Sequence, residues 1–137
     1  MKLLRHIHLF GGILIVIIFT LTGQYMHHNY DHLKDMELMN RALFRAGHLY
    51  ILLFGLINMG LGAYFKGSNR RGLRTLQVIA SLLIIGSSMM MIYSFFTELP
   101  TQTIERPIAR FGLYIVLAGV SLHGFVSLMH NSNTPNH

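Results

Sequence analysis

The sequence predicts an all-α integral membrane protein, a bundle of four transmembrane helices. Of its 137 residues 52% are hydrophobic and only 12% are charged, and the charges are segregated along the chain. Asp, Glu, Lys and Arg are absent from four windows, which lie between Arg5 and Asp31, between Arg45 and Lys66, between Arg74 and Glu98, and after Arg110. Each window has about 20 residues, enough for a helix to cross a hydrocarbon core of about 30 Å. A soluble bundle would need a polar face on every helix, and these windows lack one.

The boundaries follow from the same windows. A single domain is predicted over residues 1–130, with helices near Ile7–Met26, Leu43–Phe65, Leu73–Phe96 and Ile108–Met129. The first apolar stretch is too long for a typical signal-peptide core and no A-x-A-like site follows it, so it is predicted to be a retained helix. In the first linker, YDHLKDMELMNRALF could form a short interfacial helix. Residues 131–137 are predicted to be a disordered polar tail.

The basic residues predict the orientation. One side of the membrane carries six basic residues and no acid: Lys2, Arg5, Lys66, Arg70, Arg71 and Arg74. The opposite side carries the other five basic residues and all five acidic residues. Lys and Arg favour the cytoplasmic side, so both termini are predicted to be cytoplasmic, in a bacterial cytoplasmic membrane. The formal charge of +6 does not indicate nucleic-acid binding, because the basic residues border apolar runs without interleaved aromatic residues.

Glycines share helix faces with histidines. Gly12 lies on the face of His8, Gly55 and Gly62 lie on that of His48, and Gly112 and Gly119 lie on that of His123. Small residues let membrane helices approach closely, but they equally make room for a flat cofactor, and spacing alone does not separate the two roles. Such faces favour a homo-oligomer or a subunit of a larger membrane complex in the lipid bilayer.

Three histidines lie inside or at the edge of the apolar windows, and they are the main evidence on function: His8, His48 and His123. An ionisable residue in a membrane helix marks a functional site by default, the alternative being a neutral imidazole that hydrogen-bonds a neighbouring helix. Haem b needs an axial imidazole and a dry slot between helices. His123 facing His8 would form one bis-histidine site, and His48 with His27 would form a second toward the other face.

Depth along the helices distinguishes the two pairs. The predicted boundaries place His8 several ångströms nearer the membrane surface than His123, which argues against their pairing. His48 and His27 match better in depth. His28 is an alternative partner for His48, and Met26, which lies on the same face of the first helix as His8, could form a His–Met pair with it.

Four helices with histidines toward both faces resemble the small four-helix b-type cytochromes of membranes. The segment LAGVSLHG at Leu117–Gly124 is also similar to the small four-helix haem-containing protoporphyrinogen oxidases. The first resemblance implies a bundle that holds haem b. It is one of architecture, so no residue role is carried over from either family.

The densest histidine cluster is MHHNYDH, residues 26–32. His28 and His32, like His27 and Asp31, are four residues apart and would project in pairs from a helix. Imidazole and carboxylate groups together suit Zn²⁺, Cu²⁺ or Ni²⁺. A transition-metal site of these four residues is therefore one hypothesis, and a solvated linker at the headgroup boundary is the more ordinary one.

The preferred function is a haem b-binding electron-transfer or redox protein. If the chain is an enzyme, it is a haem-dependent membrane oxidoreductase, although no catalytic residue is assigned. The rival is a non-enzymatic small subunit or assembly factor, and a third hypothesis is metal handling or transport through the outer histidines. The absence of cysteine excludes thiolate metal sites, Fe–S clusters and c-type haem. Without a phosphate loop or a Ser-His-Asp arrangement, hydrolytic and phosphoryl chemistry have no support.

Overall fold

The computed structural model describes residues 1–68, 70–101 and 104–131, apart from the side chains of His130 and Asn131. Within these ranges the chain forms no strand and four long helices: α1 (Lys2–Tyr30), α2 (Leu38–Tyr64), α3 (Arg71–Thr97) and α4 (Pro107–Asn131). All four are long and apolar enough to cross a membrane. The protein is therefore a small multi-pass membrane protein, and the predicted all-α four-helix bundle is confirmed. The predicted tail lies outside the described residues except for Asn131, at which α4 ends.

The helices extend beyond the charge-free windows that predicted them. Helix α1 begins at Lys2 and ends at Tyr30, because a helix keeps its backbone hydrogen bonds through the headgroup region, where charged side chains reach water. The predicted interfacial helix in the first linker is wrong. A three-residue 3₁₀ turn, Asp31–Leu33, follows α1 directly, and the residues from Leu38 onward belong to α2.

The bundle consists of two helical hairpins. Helix α1 packs mainly against α2, and α3 packs mainly against α4, while the hairpins meet chiefly through α2 and α3. We call the side of the membrane with the N-terminus and the α2–α3 connection the terminal side. The side with the α1–α2 and α3–α4 connections is the hairpin side.

Glycines hold each hairpin together. A Cβ atom on Gly12 would lie 2.5 Å from the backbone nitrogen of Met59, and one on Gly62 would overlap the backbone of Leu9. In the other hairpin, a Cβ atom on Gly119 would lie 2.7 Å from Ile84 Cγ1. These glycines therefore serve the close packing of neighbouring helices. Of the two roles that the sequence left open, packing is the one that their surroundings favour.

This packing predicts the effect of a single methyl group. Gly62→Ala is expected to lower the free energy of unfolding in detergent by about 1–3 kcal/mol, because its Cβ must displace the backbone of α1. Gly60→Ala is the matched control, since no atom lies within 4 Å of a Cβ at that position. Thermal unfolding followed by circular dichroism compares the two. Equal melting temperatures for both variants would contradict this account of α1–α2 packing.

Candidate functional site

His8 lies in the core near the terminal side, and its ring orientation is fixed by Asn58. Its side chain is fully buried, and its Nδ1 lies 2.8 Å from Asn58 Oδ1. The Asn58 amide nitrogen donates to Phe54 O at 2.8 Å and to Ser88 Oγ at 2.9 Å. Because the Ser88 hydroxyl itself donates to Ile84 O, it must accept from Asn58, which leaves the Asn58 oxygen as the acceptor for His8.

This network assigns the tautomer of His8. The proton lies on Nδ1, so in the neutral ring the lone pair lies on Nε2. His8 Nε2 is buried and has no hydrogen-bond partner. A buried acceptor without a partner costs about 1–3 kcal/mol, so this atom requires an explanation beyond packing.

His123 meets His8 from the other hairpin. The two ring centroids are 6.2 Å apart and the ring planes are nearly perpendicular, at 80°. His123 is 8% exposed, and its Nε2 lies 3.1 Å from Ser81 Oγ of α3. The half-buried Phe65 lies beside both imidazoles, with its ring centroid 5.5 Å from that of His123 and 6.3 Å from that of His8.

The sequence-based objection to this pair, a difference in depth, is removed by the helix ends. His8 lies six residues after Lys2, and His123 lies eight residues before Asn131. The helical rise puts them roughly 9 and 12 Å from those ends. The expected mismatch came from boundaries that were drawn at the charge-free windows, and α1 begins a turn earlier than they implied.

His48 contacts α1 near the hairpin side. Its Nδ1 lies 2.9 Å from Thr22 Oγ1, and its ring stacks on Phe19 at 4.0 Å. The Thr22 hydroxyl donates to Phe19 O at 2.8 Å, so it accepts from His48. His27 instead contacts His32, with 3.8 Å between ring centroids and the ring planes tilted by 37°. Among the described residues no hydrogen bond or ring contact joins His48 to His27, so the predicted second pair is not assembled here.

The histidine cluster at the α1–α2 connection is exposed. His27, His28, His32 and Asp31 are all solvent-accessible. Asp31, His32 and Leu33 have backbone φ angles of 39°, 56° and 65°, so α1 ends at Tyr30 and the helical i, i+4 geometry predicted for the two pairs is not formed. In the described part of the chain, no group of three or more His, Asp or Glu side chains could hold a metal ion. The metal site proposed from spacing stays a prediction without structural support.

On the hairpin side, Glu98 caps α4. It is 7% exposed, and its carboxylate accepts hydrogen bonds from the backbone N–H groups of Ile108 at 2.6 Å and Ala109 at 3.0 Å. The Ser94 hydroxyl donates to it at 2.5 Å. A carboxylate at this position satisfies amides that have no partner within the helix and interacts favourably with the helix dipole.

Arg106 lies beside this cap and is half-buried. Its Nη atoms contact Leu43 O at 3.4 Å and Ser94 Oγ at 3.5 Å, and its Nε is buried and has no hydrogen-bond partner. Burial lowers the pKa of the Arg106 guanidinium, and the nearby Glu98 carboxylate opposes that change. An arginine keeps its charge in proteins, so a cation with an unused donor remains at this end of α4.

Asn58, Ser81 and Glu98 are the site residues that sequence reasoning missed. Asn58 carried a usable signal, because it is the one amide side chain in the charge-free window of α2. Ser81 and Glu98 carried none, since their roles depend on which helices become neighbours. Comparisons with protein families, with characterised proteins and with solved structures return no match.

Proposed function

We propose that the protein binds one b-type haem between His8 and His123 and acts as an electron carrier in the membrane. The observation that carries the proposal is the buried, unpartnered Nε2 of His8, next to a second imidazole from the opposite hairpin. If both imidazoles held one metal ion on opposite sides, with bonds of about 2 Å, their ring centres would lie roughly 6 Å apart. The observed separation of 6.2 Å is compatible with this geometry.

The Asn58–His8 contact supports a ligand role for His8. Histidines that bind metals commonly donate their second N–H group to a carboxylate or carbonyl oxygen, which fixes the tautomer and raises the basicity of the ligating nitrogen. Asn58 Oδ1 supplies such an oxygen at 2.8 Å. The Asn58 amide group donates both of its hydrogens to other partners, Phe54 O and Ser88 Oγ. These two bonds fix the orientation of Asn58, and through it the orientation of His8.

Ser81 orients His123 in the way that Asn58 orients His8. If the Ser81 oxygen accepts from Nε2–H at 3.1 Å, the lone pair of His123 lies on Nδ1, and either ring nitrogen can ligate a metal. The proposal therefore assigns Nε2 of His8 and Nδ1 of His123 as the two ligating atoms. Ser81 is the positioning residue for the second of them.

A flat cofactor held by this pair would lie between the hairpins. Glycines close the spaces within each hairpin, whereas the backbones of α1 and α4 scarcely approach each other in the described residues. Phe65 fills the space beside the two imidazoles, so haem binding requires this side chain to move. Phe65 lies just after the last residue of α2, where the backbone is not held by the helix.

When bound, a haem supplies reversible one-electron transfer. The chain contributes two neutral ligands and an apolar surrounding that excludes water. His8 and His123 both lie in sequence windows that contain no Asp, Glu, Lys or Arg. Such surroundings influence the reduction potential, because burial and ligand hydrogen bonds both affect the relative stability of the two iron oxidation states.

Haem titration of the detergent-purified protein tests this proposal. Soret absorbance is expected to saturate at one haem per chain, and Asn58→Leu is expected to weaken binding roughly tenfold to a hundredfold. Interhelical hydrogen bonds in membranes contribute only about 0.6 kcal/mol each, so the Asn58→Leu fold should survive. Asn29→Leu is the matched control, because Asn29 is exposed and bonds only its own helix at Tyr25 O. Equal haem affinity in both variants would contradict the role of Asn58.

A second candidate, a non-enzymatic subunit of a larger membrane complex, is favoured by one observation. Phe65 already packs against both imidazoles, so the terminal side is well filled by the chain itself. In that case the histidines only join helices, and the purified protein neither binds haem in the titration nor changes its melting temperature when haem is added.

A further inference from the structure

A pocket of about 560 Å³ opens on the hairpin side, between α2 and α4. It is separate from the histidine pair, which lies toward the terminal side. Its lining includes two arginines and two tyrosines among apolar residues: Arg106, Arg110, Tyr50, Tyr114, Leu43 and Leu113. Glu105 also lines it, so the arginines outnumber the acidic group by one.

The pocket changes from charged to apolar along the membrane normal. Helices α2 and α4 run in the same direction, and the pocket follows both for two turns, from Leu43 to Tyr50 and from Arg106 to Leu113. Arg106, just before α4, marks the polar end, and Tyr114 lies roughly 12 Å deeper by helical rise. A ligand that matches this gradient has a charged head and an apolar chain.

The charge at the polar end comes from side chains, not from the helix terminus. Glu98 already accepts hydrogen bonds from the backbone amides of Ile108 and Ala109, so these amides are not available to an anion. Arg106 keeps an unpartnered, buried Nε donor. Arg110 is exposed and follows Arg106 by four residues, and both line the pocket, so an oxyanion bound at its polar end would have two cationic side chains beside it.

We propose that this pocket binds an anionic phospholipid, with Arg106 and Arg110 donating hydrogen bonds to its phosphate and an acyl chain lying along Leu113 and Tyr114. Guanidinium groups bind phosphate oxygens well because their planar donors match the spacing of those oxygens. A lipid differs from free phosphate in needing the apolar part of the pocket. This proposal does not depend on haem binding.

Native mass spectrometry of the full chain in detergent tests the proposal, with phosphatidylglycerol and phosphatidylcholine as probes. The protein is expected to retain phosphatidylglycerol in preference to phosphatidylcholine. Arg106→Gln with Arg110→Gln is expected to weaken that retention by roughly tenfold to thirtyfold, since each arginine near a membrane surface strengthens the binding of an anionic lipid about fivefold. Inorganic phosphate at millimolar concentration is not expected to displace the lipid, and displacement would overturn the lipid assignment.

Two further variants keep the test decisive if loss of Arg106 impairs folding. Leu113→Trp fills the apolar part of the pocket and leaves both arginines in place, so it should also reduce lipid retention, in a protein that still unfolds cooperatively. Arg45→Gln is the matched charge control, because Arg45 is exposed and is two residues from Leu43, on the other side of α2. Equal losses in Arg45→Gln and in the paired arginine variant would overturn the proposal.

Discussion

His8→Ala and His123→Ala are each expected to lower the affinity for haem by more than about a hundredfold. The magnitude follows from comparison with residues that only orient a ligand, whose loss costs about tenfold to a hundredfold. Removing the ligating nitrogen itself should cost more. The two rings lie 6.2 Å apart on different hairpins, so neither can replace the other. The measurement is the Soret absorbance per chain after reconstitution with haem.

His48→Ala is the matched control for this experiment. His48 is also a histidine within a membrane helix, but its Nδ1 is bonded to Thr22 and its ring is stacked on Phe19. Its loss should leave the haem spectrum unchanged.

Added imidazole should restore part of the haem spectrum of a His8→Gly variant, because a free imidazole can occupy the space that the side chain leaves. Loss of haem in His48→Ala with full binding in His8→Ala would reverse the assignment of the site.

Glu98→Gln is expected to lower the free energy of unfolding by about 2–4 kcal/mol, because hydrogen bonds to a charged group contribute about 1.5–3 kcal/mol each. The substitution keeps the size of the side chain but replaces one accepting oxygen with a donating NH₂ group. That group would face either the hydroxyl of Ser94 or a backbone N–H of α4. It also leaves the half-buried cation Arg106 without its nearby carboxylate.

The control for this prediction is Glu37→Gln. Glu37 is the residue immediately before α2, and its side chain makes no capping hydrogen bond, so the unfolding free energy should change by less than about 0.5 kcal/mol in this variant. Chemical unfolding in detergent, followed by circular dichroism, compares the two variants. Similar losses in both would mean that the carboxylate of Glu98 does not stabilise the α3–α4 connection in the way described.

The sequence predicted the helices well because one physical requirement dominates. In a hydrocarbon core the backbone must be hydrogen-bonded internally, so a charge-free window of sufficient length must be helical. The ends of the helices were less predictable. Charged residues are tolerated in a helix at headgroup depth, as Lys2 and Arg5 are in α1, so a window marks the hydrocarbon depth rather than the end of the helix.

The candidate site was predictable only in part. His8 and His123 were identified from their positions within apolar windows, and the structure places them together. The role of Asn58 depends on the face of α2 that meets α1, and the role of Ser81 depends on the pairing of α3 with α4. Hydropathy cannot supply that information, since every face of these helices is apolar enough for lipid.

His48 illustrates the same limit. Its position suggested a partner of equal depth, His27, but depth does not determine which side of α1 faces α2. In the structure His48 Nδ1 instead hydrogen-bonds the hydroxyl of Thr22, which lies more than one helical turn before His27 on α1. The left-handed turn at Asp31–Leu33 likewise could not be read from the sequence, because none of its residues is a glycine.

The absorption spectrum of the protein, purified in mild detergent from cells grown with ample haem, tests the central claim most directly. The account predicts a Soret band, an α-band on reduction that is typical of b-type haem, and one haem per chain. A colourless protein that also fails to bind haem added after purification would contradict it. The histidine pair would then be a helix-packing contact in a structural subunit.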